Sequence, residues 1–597
     1  MNLVHLFFNS LRKALKRNSS VTGFDNTEDK HEAKFDLLWK PIRKYWKLAL
    51  FTGLSALLAG LMAYPAPLIY RYLIDKVILA KDIHALPLAL IALVSVKLLS
   101  QLLSITITYL SSLFNRSTSL YMREDLTERM LSLPQSFFDR NSPGYIMTRM
   151  DSDISGVSWL MSSSPLNIGQ NFIKLIGGLT FLYYLEWRAG LCVTIILPVF
   201  IVMSSFFSKR QYALVVHQSE EYARSGESME ESISNINTVK AIAGEDAVCD
   251  KIMKHYHKIF GLEIEQHILR SIYQIAVNFF PQIAAFLLLI FGGIWIINGE
   301  WTLGSLIAAQ AYMGFVFSPV RSLAQANIQY QSALASLKRI SQFYAITPEY
   351  KPGGKAVDKL KGAVAFEDVF FSYNANQEVL KAISFSVKPG QKIALCGESG
   401  TGKSTLISLL MRFYIPDKGH VMFDDEDAAI YDLKQLRRRI AYVSQEPELF
   451  TASIAENIRM NNSEANDKEI AQVLRVAGLE DFTSKLDFML DDKGSNLSIG
   501  QKKRLALARS LISNPDVLIF DEPTAELDNE TTQGVLDNLK TALSGKTVFI
   551  ITHDPVVTEF CDKSMFIVSG EISGFAPHEK LSKTSPEYRR LFQLEGK

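Results

Sequence analysis

Long apolar segments without charge occupy the first half of the chain. The first of them, 48–70, carries no charged residue, and at a rise of about 1.5 Å per residue it can cross a hydrocarbon core of about 30 Å. Five further apolar segments follow it, at 85–115, 161–185, 189–207, 272–298 and 302–322. The pattern therefore predicts an α-helical membrane domain with six transmembrane helices.

The connections between these predicted spans alternate in length. Three of them are short, whereas 116–160 and 208–271 are long and carry many Lys and Arg residues. The positive-inside rule places both long connections in the cytosol, together with the N-terminus and the second half of the chain. Each long connection is predicted to extend its spans as cytosolic helical arms, with a break at 134–144 in the first and at 232–244 in the second.

Two amphipathic patterns precede the first span. In 1–17, apolar residues recur at helical spacing and basic residues follow them, which is the reverse of a signal peptide. A helix on the inner membrane surface is the preferred interpretation of 1–17, and a disordered tail is the alternative. A second membrane-surface helix is predicted where one face repeats Phe35, Leu38, Trp39, Ile42 and Trp46.

Short apolar strands replace the long segments after a polar helical stretch at 322–345 and a cluster of Pro and Gly at 348–354. An alternating strand is predicted at 364–373, and buried strands at 392–396, 517–520 and 548–551. We predict an N-terminal extension at 1–35, a membrane domain at 36–335, a linker at 336–357 and an α/β domain at 358–597.

The stretch 397–405 fits the phosphate-binding pattern G-x-x-x-x-G-K-[ST] between a predicted strand and a predicted helix at 406–413. Its glycines would let backbone amides wrap a triphosphate, Lys403 would reach the β- and γ-phosphates, and the Ser404 hydroxyl would bind Mg²⁺. The sequence thus predicts ATP and Mg²⁺ as cofactors. The loop residues of this site are Gly397, Glu398, Ser399, Gly400, Thr401, Gly402, Lys403, Ser404 and Thr405.

Polar residues follow two later strands. Asp521 and Glu522 end the strand at 517–520, so Asp521 can hold Mg²⁺ and Glu522 can polarise the attacking water. His553 follows the strand at 548–551. A histidine there is more often structural, but strand ends that converge at one sheet edge favour a contact with the γ-phosphate.

Composition narrows the possible partners. Lys and Arg number 63 against 62 Asp and Glu, a formal net charge of +1, so no basic excess exists to neutralise a nucleic-acid backbone. The four cysteines are widely spaced and form no metal or disulfide pattern. We expect a membrane protein whose soluble part lies in a reducing compartment and binds no nucleic acid.

A signature Leu497-Ser498-Ile499-Gly500-Gln501 precedes a basic helix at 502–513. Together with the phosphate loop, Gln445, Asp521-Glu522 and His553 behind six spans, it resembles the ATP-binding cassette (ABC) exporters of the lipid-flippase and multidrug kind. The resemblance covers about 36–590, and in the membrane half it rests on these residues: Phe137, Phe138, Asp139, Gly144, Arg149, Thr238, Val239, Lys240, Glu245 and Pro319.

The resemblance implies a P-loop ABC nucleotide-binding domain in which Tyr373 stacks on adenine. It also implies that Gln445 binds Mg²⁺ and links the γ-phosphate site to the membrane arms. Two such domains would meet head to tail, with Ser498, Gly500 and Gln501 of one closing on the nucleotide of the other. The working unit would then be a dimer of half-transporters, in a multi-pass arrangement in a bacterial inner membrane.

The sequence departs from the family pattern in two places. Ile499 stands where the family usually has Gly, and a β-branched residue restricts the backbone next to phosphate. Asp491-Asp492-Lys493-Gly494 replaces the usual Gly-Glu-Arg-Gly. A homodimer is favoured because the chain contains every residue needed for hydrolysis, while Ile499 leaves a heterodimer with a second half-transporter open.

The predicted function is ATP-driven export or flipping of an amphipathic substrate by alternating access. A nucleotide-gated regulatory protein with low turnover is the alternative, against which Glu522 and His553 argue. A soluble DNA-maintenance ATPase is excluded by the six spans. The residues before the first span are too few for a peptidase domain, so a self-processing peptide exporter is not expected.

The substrate is predicted only by class: a lipid, lipid-linked glycan, peptide or drug-like compound. Lys97 and Lys174 are the charges placed deep in the predicted spans. An ammonium there costs at least about 2.5 to 3.5 kcal/mol if it faces lipid, so both are predicted to face a cavity and bind an anionic group. The alternative is that water or helix carbonyls satisfy them without any role in transport.

Overall fold

The computed structural model describes residues 35–350, 353–374, 377–523, 540 and 543–592. The chain divides into two compact units, one made of Met1–Leu131 with Pro143–Ile346 and one of Ser132–Ser142 with Thr347–Lys597. Ser132–Ser142, below called the coupling segment, thus belongs to the second unit. The surface helix predicted for 1–17 lies outside the described residues.

The first unit is helical, with π-helical turns at Leu73–Ile78 and Arg149–Asp153. In chain order the helices are α1 Asp36–Lys44, α2 Trp46–Met62, α3 Pro65–Tyr72, α4 Ala85–Leu131, α5 Gln135–Arg140, α6 Pro143–Thr148, α7 Ile154–Met161, α8 Ser163–Leu185, α9 Trp187–Ser234, α10 Ile236–Ala241, α11 Glu245–Ile297 and α12 Leu303–Ala345. The coupling segment contains α5, and the long helices α4, α9 and α11 extend into the predicted cytosolic arms.

Both predicted breaks in the cytosolic arms are confirmed. Helix α4 ends at Leu131 and α6 begins at Pro143, while α9 ends at Ser234 and α11 begins at Glu245. The first predicted span lies within Trp46–Ile78, where a short interruption at Ala63 and Tyr64 separates α2 from α3. Pro65 and Pro67 follow this break, and a proline cannot donate the backbone hydrogen bond that continues a helix.

Among the described residues, five helices are long and apolar enough to cross a membrane: Trp46–Ile78, Ala85–Leu131, Trp187–Ser234, Glu245–Ile297 and Leu303–Leu323. The third predicted span, 161–185, forms the helix α8 but is not among the five. Polar side chains at Asn167, Gln170, Asn171 and Lys174 lower its hydropathy. Composition therefore supports five of the six predicted spans.

An aromatic cluster joins α8 and α12 to the break after α2. The rings of Phe181 and Tyr312 stack 5.3 Å apart, and the Tyr312 hydroxyl donates to the Tyr64 carbonyl oxygen at 2.7 Å. The Tyr64 ring lies against Gly177, where a Cβ would sit 2.1 Å from its Cζ atom. The glycine thus admits the ring, which holds the broken helix against its neighbours.

A buried ion cluster joins the turn after α6 to the second half of α12. Asp153 is 2% exposed and accepts hydrogen bonds from Arg339 Nη2 at 2.5 Å, Arg339 Nε at 3.0 Å and the Ser336 hydroxyl at 2.9 Å. Arg149 Nη1 donates to the same carboxylate at 3.2 Å. A carboxylate that pairs with two guanidinium groups fixes the cytosolic arm to α12 within this unit.

The second unit is an α/β domain with two sheets. The strands are β1 Val364–Asn374, β2 Gln377–Val387, β3 Lys392–Cys396, β4 Lys418–Phe423, β5 Glu426–Asp427, β6 Ile440–Val443, β7 Val517–Asp521, β8 Thr547–Ile551, β9 Lys563–Val568 and β10 Glu571–Ala576. One sheet is antiparallel with strand order β2-β1-β4-β5, and the other has the order β10-β9-β3-β8-β7-β6.

Helices cover the larger sheet, whose buried strand residues are almost all apolar. Several short helices begin with a capping box, in which a side chain at the start and one three residues later satisfy free backbone amides. The helices are α13 Lys403–Leu410, α14 Leu433–Arg439, α15 Ile454–Arg459, α16 Asp467–Val476, α17 Ile499–Leu511, α18 Pro555–Phe560, α19 His578–Thr584 and α20 Pro586–Leu591.

Three predicted strands meet at one edge of the larger sheet. Strand β3 pairs in parallel with β8, and β8 in parallel with β7, so that Asp521 lies opposite Ile551. Loops that leave the carboxyl ends of neighbouring parallel strands emerge on the same side, where ligands of α/β domains bind. The prediction that these strand ends converge is confirmed.

Candidate functional site

The loop between β3 and α13 has the backbone of a phosphate-binding loop. Gly397 and Gly402 adopt φ values of +153° and +102°. A Cβ at Gly397 would lie 2.4 Å from the Ile567 carbonyl oxygen, and one at Gly402 would lie 2.7 Å from Leu380 Cδ2. Glycine is required at both positions because no side chain fits there. The loop opens onto the N-terminus of α13, where free amides attract an anion.

Lys403 is the first residue of α13, and its ammonium bends back over the loop. The Nζ atom donates to the Gly397 and Glu398 carbonyl oxygens at 2.7 and 2.6 Å. Burial lowers the pKa of Lys403 from its usual value, and the nearby Glu522 carboxylate acts in the opposite direction. The Lys403 ammonium thus bonds two carbonyl oxygens of its own loop. Phosphate oxygens of a bound nucleotide can replace these two acceptors.

Glu522 follows β7 and is held by two side chains from other strand ends. Gln445 Nε2 donates to Glu522 Oε2 at 2.7 Å, and His553 Nδ1 lies 3.2 Å from Glu522 Oε1. The Glu522 backbone has a φ of +48°, an uncommon conformation for a residue with a side chain. Strain at a polar position of this kind is typical of functional sites.

Asp521 is the last residue of β7 and lies beside Glu522. Burial raises the pKa of the Asp521 carboxyl, and the neighbouring Glu522 charge raises it further. Tyr442 places its hydroxyl 3.5 Å from Asp521 Oδ2, and burial raises the pKa of Tyr442 to about 12. Two carboxylates in a partly buried site favour a cation between them and a bound polyphosphate.

A cavity of about 650 Å³ lies at this edge of the sheet. The Tyr373 hydroxyl donates to Thr405 Oγ1 at 3.2 Å, which holds the ring at the rim of the loop. The cavity brings together the predicted residues Tyr373, Gly397, Glu398, Ser399, Gly400, Gly402, Lys403, Ser404, Thr405, Gln445, Asp521, Glu522 and His553.

Four residues predicted for the nucleotide site do not line the cavity. The Thr401 hydroxyl donates to the Glu398 carbonyl oxygen within the loop at 2.9 Å. Ser498, Gly500 and Gln501 lie at the start of α17. The Ser498 hydroxyl accepts from the Gln501 amide at 3.2 Å, and Gln501 Oε1 accepts from the Ser498 amide at 2.9 Å. These two side chains therefore cap a helix within the chain.

Two aromatic neighbours of the site were not predicted from the sequence. Tyr442 lies in β6, three residues before Gln445. Successive side chains of a strand point to opposite faces, and this alternation is the sequence signal that could have indicated the side of the sheet on which Tyr442 lies. Tyr414 is in edge contact with the Tyr373 ring at 5.1 Å between centroids, and it follows the end of α13. No local pattern distinguishes Tyr414 from a core residue, because its neighbours come from distant parts of the chain.

The oxygen atoms at the site fit Mg²⁺, a hard cation that prefers carboxylate, hydroxyl and phosphate ligands. Ser404, Asp521 and Gln445 all line the cavity. Because Gln445 donates its amide nitrogen to Glu522, its amide oxygen remains the atom that can face a metal. Across the residues that the structure describes, no group of three His, Cys, Asp or Glu side chains could hold a metal ion. Phosphate oxygens of a bound nucleotide are further ligands of the kind that Mg²⁺ prefers.

The two lysines predicted to bind substrate lie in helices of the first unit. Lys97 is exposed on α4, and Lys174 is half-buried on α8. Their role in substrate binding stays a prediction.

Two family models match this chain. A model of the ABC transporter transmembrane region matches 49–320, and a model of the ABC transporter matches 380–525. The leukotoxin translocation ATP-binding protein of Mannheimia glucosida is 30% identical over 577 residues, which cover 94% of this chain and 80% of the relative. The protein of the same name from Bibersteinia trehalosi is 29% identical over the same length and shares.

A solved structure has the same fold. It is a bacterial Atm1-family ABC exporter with ATP bound, which superposes with a TM-score of 0.83 at 21% sequence identity. The match covers 93% of this chain and 99% of that one.

Proposed function

This chain belongs to the ATP-binding cassette exporter family, and from that premise we propose that it is a half-transporter that exports or flips an amphipathic substrate by alternating access. It is a multi-pass membrane protein with a cytosolic ATPase domain, which couples ATP hydrolysis to transport. The observation that carries the proposal is the cavity in which Lys403, Glu522, His553 and Gln445 meet. We assign 1–35 to an N-terminal extension, 36–335 to the membrane domain, 336–357 to the linker and 358–597 to the nucleotide-binding domain.

The residues of the cavity have separate roles in this proposal. Tyr373 stacks on adenine, and the loop amides and Lys403 bind the triphosphate. Lys403 exchanges its two carbonyl partners for β- and γ-phosphate oxygens when ATP enters. Ser404, Asp521 and Gln445 would hold Mg²⁺, which would supply positive charge to neutralise the phosphates.

Glu522 is the proposed general base. Its two oxygens are fixed by Gln445 and His553, so the carboxylate has a defined orientation toward water at the γ-phosphate. His553 can also contact the γ-phosphate directly. A fixed carboxylate needs no reorganisation when it accepts the proton of the attacking water, and general base catalysis of this kind contributes about 10² to 10⁴ in rate.

ABC exporters work as dimers of half-transporters, and we propose a homodimer for this chain. Ser498, Gly500 and Gln501 lie outside the cavity lining of their own chain, so they are available to close on the nucleotide of a partner. The N-terminus of α17 suits this because the helix dipole favours an anion there, and in the single chain the capping side chains bond the Ser498 and Gln501 amides instead. Every residue proposed for hydrolysis is in this one sequence.

We propose an amphipathic substrate with an anionic group, bound by Lys97 and Lys174 in the membrane domain. Lipids, lipid-linked glycans, peptides and drug-like compounds all meet that description. The names of the relatives in Mannheimia and Bibersteinia refer to translocation of a leukotoxin, which keeps peptides among the classes to be tested.

ATP turnover by the purified chain alone, reconstituted in lipid bilayers, tests the proposal. We expect hydrolysis that Glu522→Gln reduces by about 10² or more while nucleotide binding persists. Glu579→Gln is the matched control, because Glu579 is an exposed carboxylate that pairs with Lys583 away from the cavity. Turnover that appears only after a second, related chain is added would contradict the homodimer. Turnover that persists in Glu522→Gln would remove that residue from its role.

A further inference from the structure

Three aromatic rings pack together beside the adenine side of the cavity. Tyr373 and Tyr414 meet edge to face with centroids 5.1 Å apart. Phe371 completes the cluster at 4.9 Å from Tyr373 and 5.4 Å from Tyr414. Tyr373 is 40% exposed, so part of it is open to a stacking partner while its ring contacts Tyr414. A base that holds the Tyr373 ring in place therefore limits the positions open to Tyr414.

Tyr414 also touches the coupling segment. Its hydroxyl donates a short hydrogen bond to Asp139 Oδ2 in α5. The other carboxylate oxygen, Oδ1, accepts from Gln135 Nε2 at 2.9 Å, so the carboxylate faces Tyr414 in one orientation. Burial raises the pKa of Tyr414, and the Asp139 hydrogen bond raises it further. The hydroxyl hence stays protonated and remains the donor at any physiological pH.

A second set of hydrogen bonds connects the backbone just before Tyr414 to Ser132, at the start of the coupling segment. The Glu349 amide donates to the Ser132 carbonyl oxygen at 2.8 Å, and the Glu349 carboxylate accepts from Arg437 Nη1 at 3.0 Å. Arg437 in turn donates to the Met411 and Arg412 carbonyl oxygens at 3.0 and 2.9 Å. Met411 and Arg412 lie three and two residues before Tyr414. The backbone next to Tyr414 is thus held by Arg437, and the Tyr414–Asp139 bond is the contact that can respond to the ring beside it.

We propose that Tyr414 is a positioning residue that couples adenine stacking on Tyr373 to the coupling segment through its hydrogen bond to Asp139. The inference rests on the proposed function, because it requires ATP at this site. With the base in place, the Tyr373 ring is held against Tyr414, and the Tyr414 hydroxyl is held on Asp139. The coupling segment contains α5, which lies between α4 and α6 in the chain. The contacts from Tyr373 through Tyr414 to Asp139 would thus make this segment sensitive to the base of the bound nucleotide.

Thermodynamic linkage makes the proposal testable without a transported substrate. If bound ATP strengthens the Tyr414–Asp139 bond, then that bond must strengthen ATP binding by the same factor. Asp139 is exposed and does not line the nucleotide cavity. A change of Asp139 that weakens ATP binding would consequently report coupling rather than a lost ligand contact. Coupling between sites is typically worth about fivefold or more in affinity.

The experiment compares nucleotide affinity in the full-length chain and three variants. Asp139→Ala removes the acceptor, Tyr414→Phe removes the donor but keeps the ring, and the double variant removes both. We expect ATP affinity to fall by about fivefold in each single variant and no further in the double variant. Hydrogen exchange of the coupling segment should slow on addition of ATP in the unmodified chain and in no variant.

Two controls separate this route from general damage. Asp151→Ala changes an exposed carboxylate of the same arm that pairs with Arg123 instead, and it should leave ATP affinity within about twofold. Inorganic triphosphate with Mg²⁺ occupies the loop without a base, so Asp139→Ala should leave its affinity unchanged. Unchanged ATP affinity in Asp139→Ala would overturn the proposal, and so would an equal loss for ATP and triphosphate. If the unmodified chain fails to bind ATP, the proposed function fails instead.

Discussion

Asp153→Ala is expected to increase local opening of the cytosolic arm in the first unit, although it removes only one small side chain. The Asp153 side chain is nearly inaccessible and pairs with both Arg149 and Arg339. Its removal leaves two guanidinium groups, 20% and 24% exposed, without their counter-charge. Breaking a buried pair by removing one partner costs about 3 to 5 kcal/mol, because the remaining charge stays desolvated.

This cost is measurable as local opening, since large membrane proteins often unfold irreversibly. A loss of about 3 to 5 kcal/mol corresponds to about two to four orders of magnitude in the opening equilibrium. We expect amide hydrogen exchange in α7 and in the second half of α12 to accelerate by that factor in bilayer-reconstituted protein. Exchange in the sheet of the second unit should not change.

Asp151→Ala is the matched control for Asp153→Ala. Asp151 lies two residues earlier, and its side chain is 67% exposed in a pair with Arg123 at 2.6 Å. An exposed ion pair contributes about 0 to 1 kcal/mol, so its removal should change exchange by less than about tenfold. If both variants exchange alike, the buried cluster does not hold the arm, and the reasoning from burial is wrong.

Three further predictions concern the signature, the membrane lysines and the thiols. Ile499→Gly should raise ATP turnover of the chain alone by relaxing the backbone at the start of α17; unchanged turnover in this variant would mean that Ile499 does not limit closure. Replacing both Lys97 and Lys174 with Gln should abolish stimulation of ATPase activity by anionic amphiphiles in bilayers and leave basal turnover intact, and unaltered stimulation would contradict an anionic substrate. Cys249 is exposed whereas Cys396 is buried, and burial raises the pKa of Cys396 to about 12. Because maleimide reacts with an accessible thiolate, it should label Cys249 within minutes and Cys396 only after unfolding. Equal labelling of the folded protein would show that β3 opens readily.

The sequence is sufficient for the elements that depend on local pattern. The apolar run at 392–396 coincides with β3, and those at 517–520 and 548–551 lie within β7 and β8. These runs are bounded by glycine or by polar residues, which defines a short buried strand. Because parallel strands place their carboxyl ends together, the amino-acid pattern alone places the loop after β3 beside Glu522 and His553.

Features that depend on contacts between distant residues cannot be predicted in this way. Apolar length alone suggests a regular helix for the first span, yet the prolines after Tyr64 accompany an interruption between α2 and α3. In the sequence, Asp153 is one of several charged residues in a polar connection. Its burial depends on contacts with Ser336 and Arg339 of α12, which are distant in the chain. Helix α8 is an intermediate case, since its polar positions are visible in the sequence but its packing partners are not.

The coupling segment shows most clearly why sequence position is a poor guide to function here. By order in the chain it belongs to the membrane half, between α4 and α6. By its contacts it belongs to the ATPase unit, because Asp139 and Ser132 bond to Tyr414 and Glu349 of that unit. A substitution in Ser132–Ser142 should therefore be interpreted first by its effect on nucleotide binding. A transport defect with altered ATP affinity would indicate lost coupling, whereas a transport defect with unaltered affinity would indicate a change in the membrane helices.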